Sequence, residues 1–140
     1  MLTPSEDIRT SKPLILVLEN DDLTSEGLAL LLSDAGYQAV IFKSFFDARQ
    51  SVAVASTTVS AIISDFDLDR ELNGVEAAQA LRAGRTPQPP VLIVTGTRQH
   101  RVVTAARKAG FELSAKPASP AFLRRWLARN TAGYPRSSLP

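Results

Sequence analysis

The chain of 140 residues contains no cysteine, which excludes disulfides, thiolate metal sites and cysteine nucleophiles. Its single histidine, His100, stands near the start of a helical segment with nothing to complete a triad or a metal site, and is read as exposed. No apolar run approaches the roughly 18 to 20 residues of a membrane span. The opening stretch, Met1 to Asp7, has neither the basic start nor the apolar core of a secretory signal. The expected location is therefore the cytoplasm, with no membrane partner. Acidic residues are nearly missing from the last third: after Glu76 only Glu112 remains.

At 44% hydrophobic and 21% charged, what is present suits one globular domain. The net charge of +2 conceals an asymmetry. Residues 1–85 hold 7 Lys/Arg against 13 Asp/Glu, whereas residues 86–140 hold 9 against 1. The basic residues lie on helix faces without interleaved aromatics, which favours solvated faces or an acidic protein partner over nucleic acid. Two basic segments, 98–108 and 119–129, suit such a partner or a second copy of the domain.

Residues 1–13 and 131–140 are polar, Pro-containing and aperiodic, and are read as a flexible lead-in and tail around one domain at 14–130. Between them, short apolar runs alternate with amphipathic stretches. Strands are predicted at 14–18, 39–42, 61–64, 91–94 and 112–115. Helices follow each: Leu28, Leu31, Leu32 and Ala35 form one apolar face before Gly36, and Ser44 with Asp47 has the spacing of a capping box opening a second helix. Further helices are predicted around 74–83, at Val102 to Ala109 before Gly110, and at 119–129 with Leu123, Trp126 and Leu127 inward. Apolar strands alternating with helices predict an α/β fold, a doubly wound five-stranded parallel sheet.

Sites in such sheets lie beyond the carboxyl ends of the strands. There the sequence places Glu19-Asn20-Asp21-Asp22, Asp65, Thr95-Gly96 and Lys116-Pro117. Glu19 and Asp65, helped by Asn20, offer hard oxygens to a small cation such as Mg²⁺. Asp65 is then a carboxylate nucleophile, with Lys116 and the cation neutralising a transferring phosphoryl group and Thr95 donating a hydroxyl to it. Lys116-Pro117 is a candidate cis peptide, since the cis form is cheap only before proline.

With these groups together, the chain resembles a response-regulator receiver domain of the CheY-like family from about Leu14 to Arg129. The resemblance implies the flavodoxin-like (βα)5 fold with strand order 2-1-3-4-5. It also implies Asp65 as phosphoacceptor, Thr95 as switch hydroxyl, Lys116 with a cis proline, and metal binding (Mg²⁺ or Mn²⁺) by Glu19, Asn20, Asp65 and the backbone carbonyl of Asp67. The donor would be a histidine kinase or a histidine phosphotransfer protein, and the chain a phosphoacceptor in a two-component relay rather than a turnover enzyme. Ser64 to Leu68, Asn73-Gly-Val-Glu76 and Gly110 to Pro117 most resemble receivers at the C-terminus of hybrid histidine kinases. Two positions depart from the family: Asn20 replaces a metal-binding aspartate, and Leu113 stands where many members carry a switch aromatic.

Two other readings compete. Asp65-Phe-Asp67 resembles the Asp-x-Asp of haloacid-dehalogenase-like phosphatases, but that site needs further carboxylates at a later strand end. The substitution at Asn20 leaves open a receiver-like interaction module that is not phosphorylated.

Overall fold

Every side chain of Leu14–Leu18 is apolar, and successive strand residues face opposite ways, so the run needs cover on both sides. The computed structural model, which describes residues 12–69 and 72–132, supplies that cover by placing this strand inside a five-stranded parallel sheet of order β2-β1-β3-β4-β5. The strands are β1 (Leu14–Leu18), β2 (Gln38–Phe42), β3 (Ala61–Asp65), β4 (Val91–Thr95) and β5 (Glu112–Ala115). The helices are α1 (Asp22–Asp34), α2 (Phe45–Gln50), α3 (Val52–Ala55), α4 (Gly74–Arg82), α5 (His100–Ala109) and α6 (Pro120–Asn130).

The period of two along the strands divides the core. Leu14, Leu16, Ile62, Val91 and Ile93 face Val54 of α3, Val75 and Ala78 of α4, and Val102 and Ala106 of α5. Their neighbours Ile15, Val17, Ile63, Leu92 and Val94 face Leu32 of α1 and Leu123, Trp126 and Leu127 of α6. Trp126 is thus core, and its indole N–H donates to Glu112 at 3.1 Å. The edge strands β2 and β5 are only partly covered. Gly36 and Gly110 follow α1 and α5 with φ of 95° and 77°, the left-handed turns that glycine permits at a helix end.

Three local features differ from the sequence expectation. Strands β3 and β4 each run one residue further, so Asp65 and Thr95 are their last members, because Phe66 N–H donates to Val94 and Lys116 N–H to Thr95 and the ladder continues. The second helix is divided at Ser51, which ends α2 and whose hydroxyl accepts from Val54 N–H to open α3; serine competes for backbone groups in this way and favours caps. At α2, Ser44 accepts from Asp47 N–H, but the reciprocal pair of a full capping box lies at α4, between Asn73 and Glu76. Asp47 is one methylene shorter than the residue such a box uses. Arg85 joins α3 to α4 by donating to the carbonyls of Leu81, Val54 and Thr57.

The lead-in at 1–13 and the tail at 131–140 fall almost wholly outside the described residues. Pro13 and Thr131 belong to the packed unit: Pro13 accepts from Gln38 N–H, and buried Thr131 lies 3.1 Å from the Tyr37 hydroxyl. Among the described residues no helix is long and apolar enough to cross a membrane.

Helix α4 starts directly against the end of β3. Gly74 N–H donates to Phe66 at 2.7 Å, and a Cβ at Gly74 would overlap the Asp65 carbonyl and lie 2.8 Å from Ser64 Oγ. Gly74→Ala should therefore cost about 2 kcal/mol or more, since the obstruction is backbone. In Gly27→Ala, within α1, the added methyl meets nothing within 4 Å and should raise stability by up to about 1 kcal/mol. Urea unfolding of both variants checks the opposite signs.

Candidate functional site

Parallel strands put all their carboxyl ends at one edge. The registers Leu18↔Ser64, Asp65↔Val94 and Thr95↔Ala115 then make neighbours of residues far apart in the chain. Lys116, leaving β5, reaches back across β4 to both carboxylates: its Nζ lies 3.0 Å from Asp65 Oδ2 and 3.0 and 3.1 Å from the two oxygens of Glu19. Glu19 and Asp65 are 3% and 6% exposed. The Lys116–Pro117 peptide is cis, as expected.

Two buried carboxylates share one ammonium. Burial pushes Asp65 above the usual aspartate value and the Glu19 charge adds to this, while Lys116 and the Asp67 N–H, 3.2 Å from Oδ1, oppose it without prevailing. For Lys116 burial acts downward, but the bonds to Glu19 and Asp65 outweigh it and the ammonium is held above its ordinary value. A cavity of about 280 Å³ between α1 and α6 adjoins the cluster, with Leu28, Ile63, Val94 and Leu123 as apolar wall.

The remaining candidates occupy definite positions. Thr95 is 1% exposed, and its hydroxyl donates to Thr97 O at 3.0 Å while accepting from Thr97 N–H at 3.2 Å, so it is engaged with its own loop. Asn20 is exposed and donates its side-chain N–H to Leu68 O at 3.0 Å, which leaves its amide oxygen for any ligand role. Asp21 caps α1 through Thr24, whose hydroxyl and N–H hold its carboxyl below the usual range. Asp22 pairs with Lys43.

The donor set suits a small hard cation: Glu19 and Asp65 are oxygen ligands carrying more negative charge than Lys116 neutralises, and Mg²⁺ commonly binds through one or two carboxylates with water. Among the described residues no third Asp, Glu or His joins them to form a larger metal cluster.

Two members of this region were not legible as such in the sequence. Asp69, which reads as part of a solvated loop, accepts from Phe45 N–H at 3.3 Å and Leu72 N–H at 2.9 Å and so ties the loop after β3 to the start of α2. Phe66, next to the candidate phosphoacceptor, is buried under the Arg101 guanidinium, 5.4 Å from its ring centroid. A Phe after a strand-end aspartate signals burial, but nothing local names its partner.

The sequence model of the response regulator receiver domain matches residues 15–127. Among solved structures, the chain is similar to a protein described as a response regulator from Chloroflexus aurantiacus (25% identity, TM-score 0.75, covering 87% of this chain and 99% of that one). It is also similar to the receiver domain of a sensor histidine kinase from Pseudomonas aeruginosa, which carries a magnesium ion in its active-site cleft (22%, 0.74, 87% and 99%). A third is a CheY-like receiver domain protein from Methanospirillum hungatei (18%, 0.76, 88% and 96%). No curated protein shows a significant match.

Because Asp65 holds a proton more tightly in the fold than in the unfolded chain, its ionisation costs stability. The protein is favoured below about pH 3.9, the unfolded aspartate value, and this contribution is lost as pH rises through the raised folded value. Asp65→Asn removes the cost and should stabilise the metal-free protein at pH 7. The gap from the parent should close as pH falls toward 3.9. Thermal melts across that range, in chelator, give the comparison.

Proposed function

The chain belongs to the response regulator receiver domain family, and on that premise we propose that Asp65 is its phosphoacceptor, loaded by a histidine kinase or a histidine phosphotransfer protein. The observation that carries this reading is the Lys116 ammonium held between the two buried carboxylates Asp65 and Glu19. In the transfer an Asp65 carboxylate oxygen forms a bond to phosphorus as the phosphorus–nitrogen bond of the donor phosphohistidine breaks. The electron pair leaves with the imidazole nitrogen, a ring proton making the departing imidazole neutral, and the product on Asp65 is an acyl phosphate, a mixed anhydride. A divalent cation, bound by Glu19, Asp65, the Asp67 carbonyl and the Asn20 amide oxygen, would supply positive charge beside the phosphoryl oxygens. Lys116 provides the second positive charge, already placed and partly screened from water.

Thr95 would leave the Thr97 carbonyl to donate to a phosphoryl oxygen, exchanging one hydrogen bond for a charge-assisted one. That exchange loosens the β4–α5 loop. Phe66 gives a second route: it packs with Val102 and Ala106 of α5 and lies under Arg101 of the same helix. Leu113 packs partly buried against this same cluster and offers no ring to rotate. Both routes converge on α5, which carries Arg101, Arg107 and Lys108 toward an acidic partner or a second copy of the domain. We place the chain in a cytoplasmic phosphorelay; the likeness to a receiver domain of a sensor histidine kinase is compatible with one appended to a hybrid kinase. The haloacid-dehalogenase-like reading loses its needed carboxylate, because Glu112 accepts from Trp126 and Arg129 instead.

Incubation with Mg²⁺ and a small phosphodonor should add one phosphoryl group by intact mass, and Asp65→Asn should add none. An adduct that persists in Asp65→Asn overturns the assignment. Lys116→Ala should slow loading on the order of 100-fold. Arg101→Ala should leave loading intact while reducing the amide shift changes that phosphorylation produces in α5. Undiminished changes there would remove Arg101 from the route.

A further inference from the structure

The loop that carries Asp67 is tied at several points that need no cation. Asp67 N–H donates to Asp65, and the Leu68 side chain is buried with Leu18, Ala48 and Ala77. Asp69 accepts from Phe45 and Leu72. The tie that crosses from the other side of the site is Asn20, which reaches from the end of β1 over 48 positions of sequence to the Leu68 carbonyl. A carbonyl oxygen only accepts, so this bond requires a donor at position 20, here the side-chain N–H of Asn20. The carboxylate of an aspartate could not make it, and would set a negative oxygen against the carbonyl.

We propose that Asn20 is a positioning residue: its side-chain amide latches the Leu68 carbonyl and holds the phosphoacceptor loop in its working place before any cation binds. The inference rests on the phosphoacceptor reading for its purpose but not for its geometry. An aspartate at position 20 would strengthen cation binding and leave the loop to be ordered by the cation. Asparagine gives up that charge and keeps the loop in place in the cation's absence.

Backbone amide spectra of the parent, Asn20→Ala and Asn20→Asp, recorded in chelator and then with Mg²⁺ and without phosphodonor, test the latch directly. The parent should show sharp Asp67, Leu68 and Asp69 amides in chelator, with Leu68 and Asp69 moving little when Mg²⁺ is added. Both variants should show these amides shifted or broadened in chelator. Saturating Mg²⁺ should restore them in Asn20→Asp but not in Asn20→Ala, and Asn20→Asp should bind Mg²⁺ on the order of tenfold more tightly than the parent. With phosphodonor at saturating Mg²⁺, the maximal loading rate should fall in Asn20→Ala and recover in Asn20→Asp. Unchanged Leu68 and Asp69 amides in Asn20→Ala, or parent amides that sharpen only with Mg²⁺, would overturn the latch. Those amide readings stand even if Asp65 takes no phosphoryl group, which would overturn the phosphoacceptor reading instead.

Discussion

Two carboxylates buried at the end of a sheet repel each other and have each lost most of their water, and a single lysine holds them together. Glu19 and Asp65 are 3% and 6% exposed, and the Lys116 ammonium, 3.0 Å from each, offsets part of the cost of burying them side by side. The arrangement is under-neutralised by one charge. Burial, with the Glu19 charge adding to it, raises the proton affinity of Asp65, and the excess negative charge is of the kind that suits a divalent cation. Much of the surrounding structure serves to keep these groups in register: the ladder extended to Asp65 and Thr95, and the close approach of Gly74 to the Asp65 carbonyl.

The loop leaving Asp65 is held from several directions. Phe66 is fastened into the α4 and α5 side of the core, Leu68 into a small cluster beside β1, and Asp69 into the start of α2. Packed contacts of this kind favour discrete arrangements of a loop over continuous deformation. Direct contacts run from Phe66, the neighbour of Asp65, to Arg101 above it and to Val102 and Ala106 of α5. The threonine loop reaches the same helix from β4, and Leu113 offers no ring on the β5 side.

The charge asymmetry along the chain becomes partly internal once folded. Arg124 of α6 pairs with Asp34 of α1, and Arg129 pairs with Glu112, so the basic last helix spends two of its charges on the domain itself. These pairs are exposed and contribute little energy; among the described residues Arg101, Arg107 and Lys108 of α5 form no salt bridge, so α5 presents the denser positive face.

Composition and pattern determined the sheet, its approximate strand bounds and the strand ends at which chemistry would collect, because apolar runs such as Leu14–Leu18 require burial on both faces. Helix stops at Gly36 and Gly110 were legible for an equally local reason, the conformational freedom of glycine beyond a helix end. The chain alone also supplied the set Glu19, Asp65, Thr95 and Lys116, since each follows an apolar run. Tertiary structure decided what those residues touch. That Lys116 bridges Glu19 and Asp65, that Asn20 donates to Leu68, that Asp69 ties a loop rather than merely solvating it and that Arg101 covers Phe66 all depend on contacts between segments 24 to 97 positions apart. Local pattern reports which face of a strand or helix is apolar. It carries no record of which distant carbonyl or ring will stand opposite a given side chain, because that is set only when the strands align.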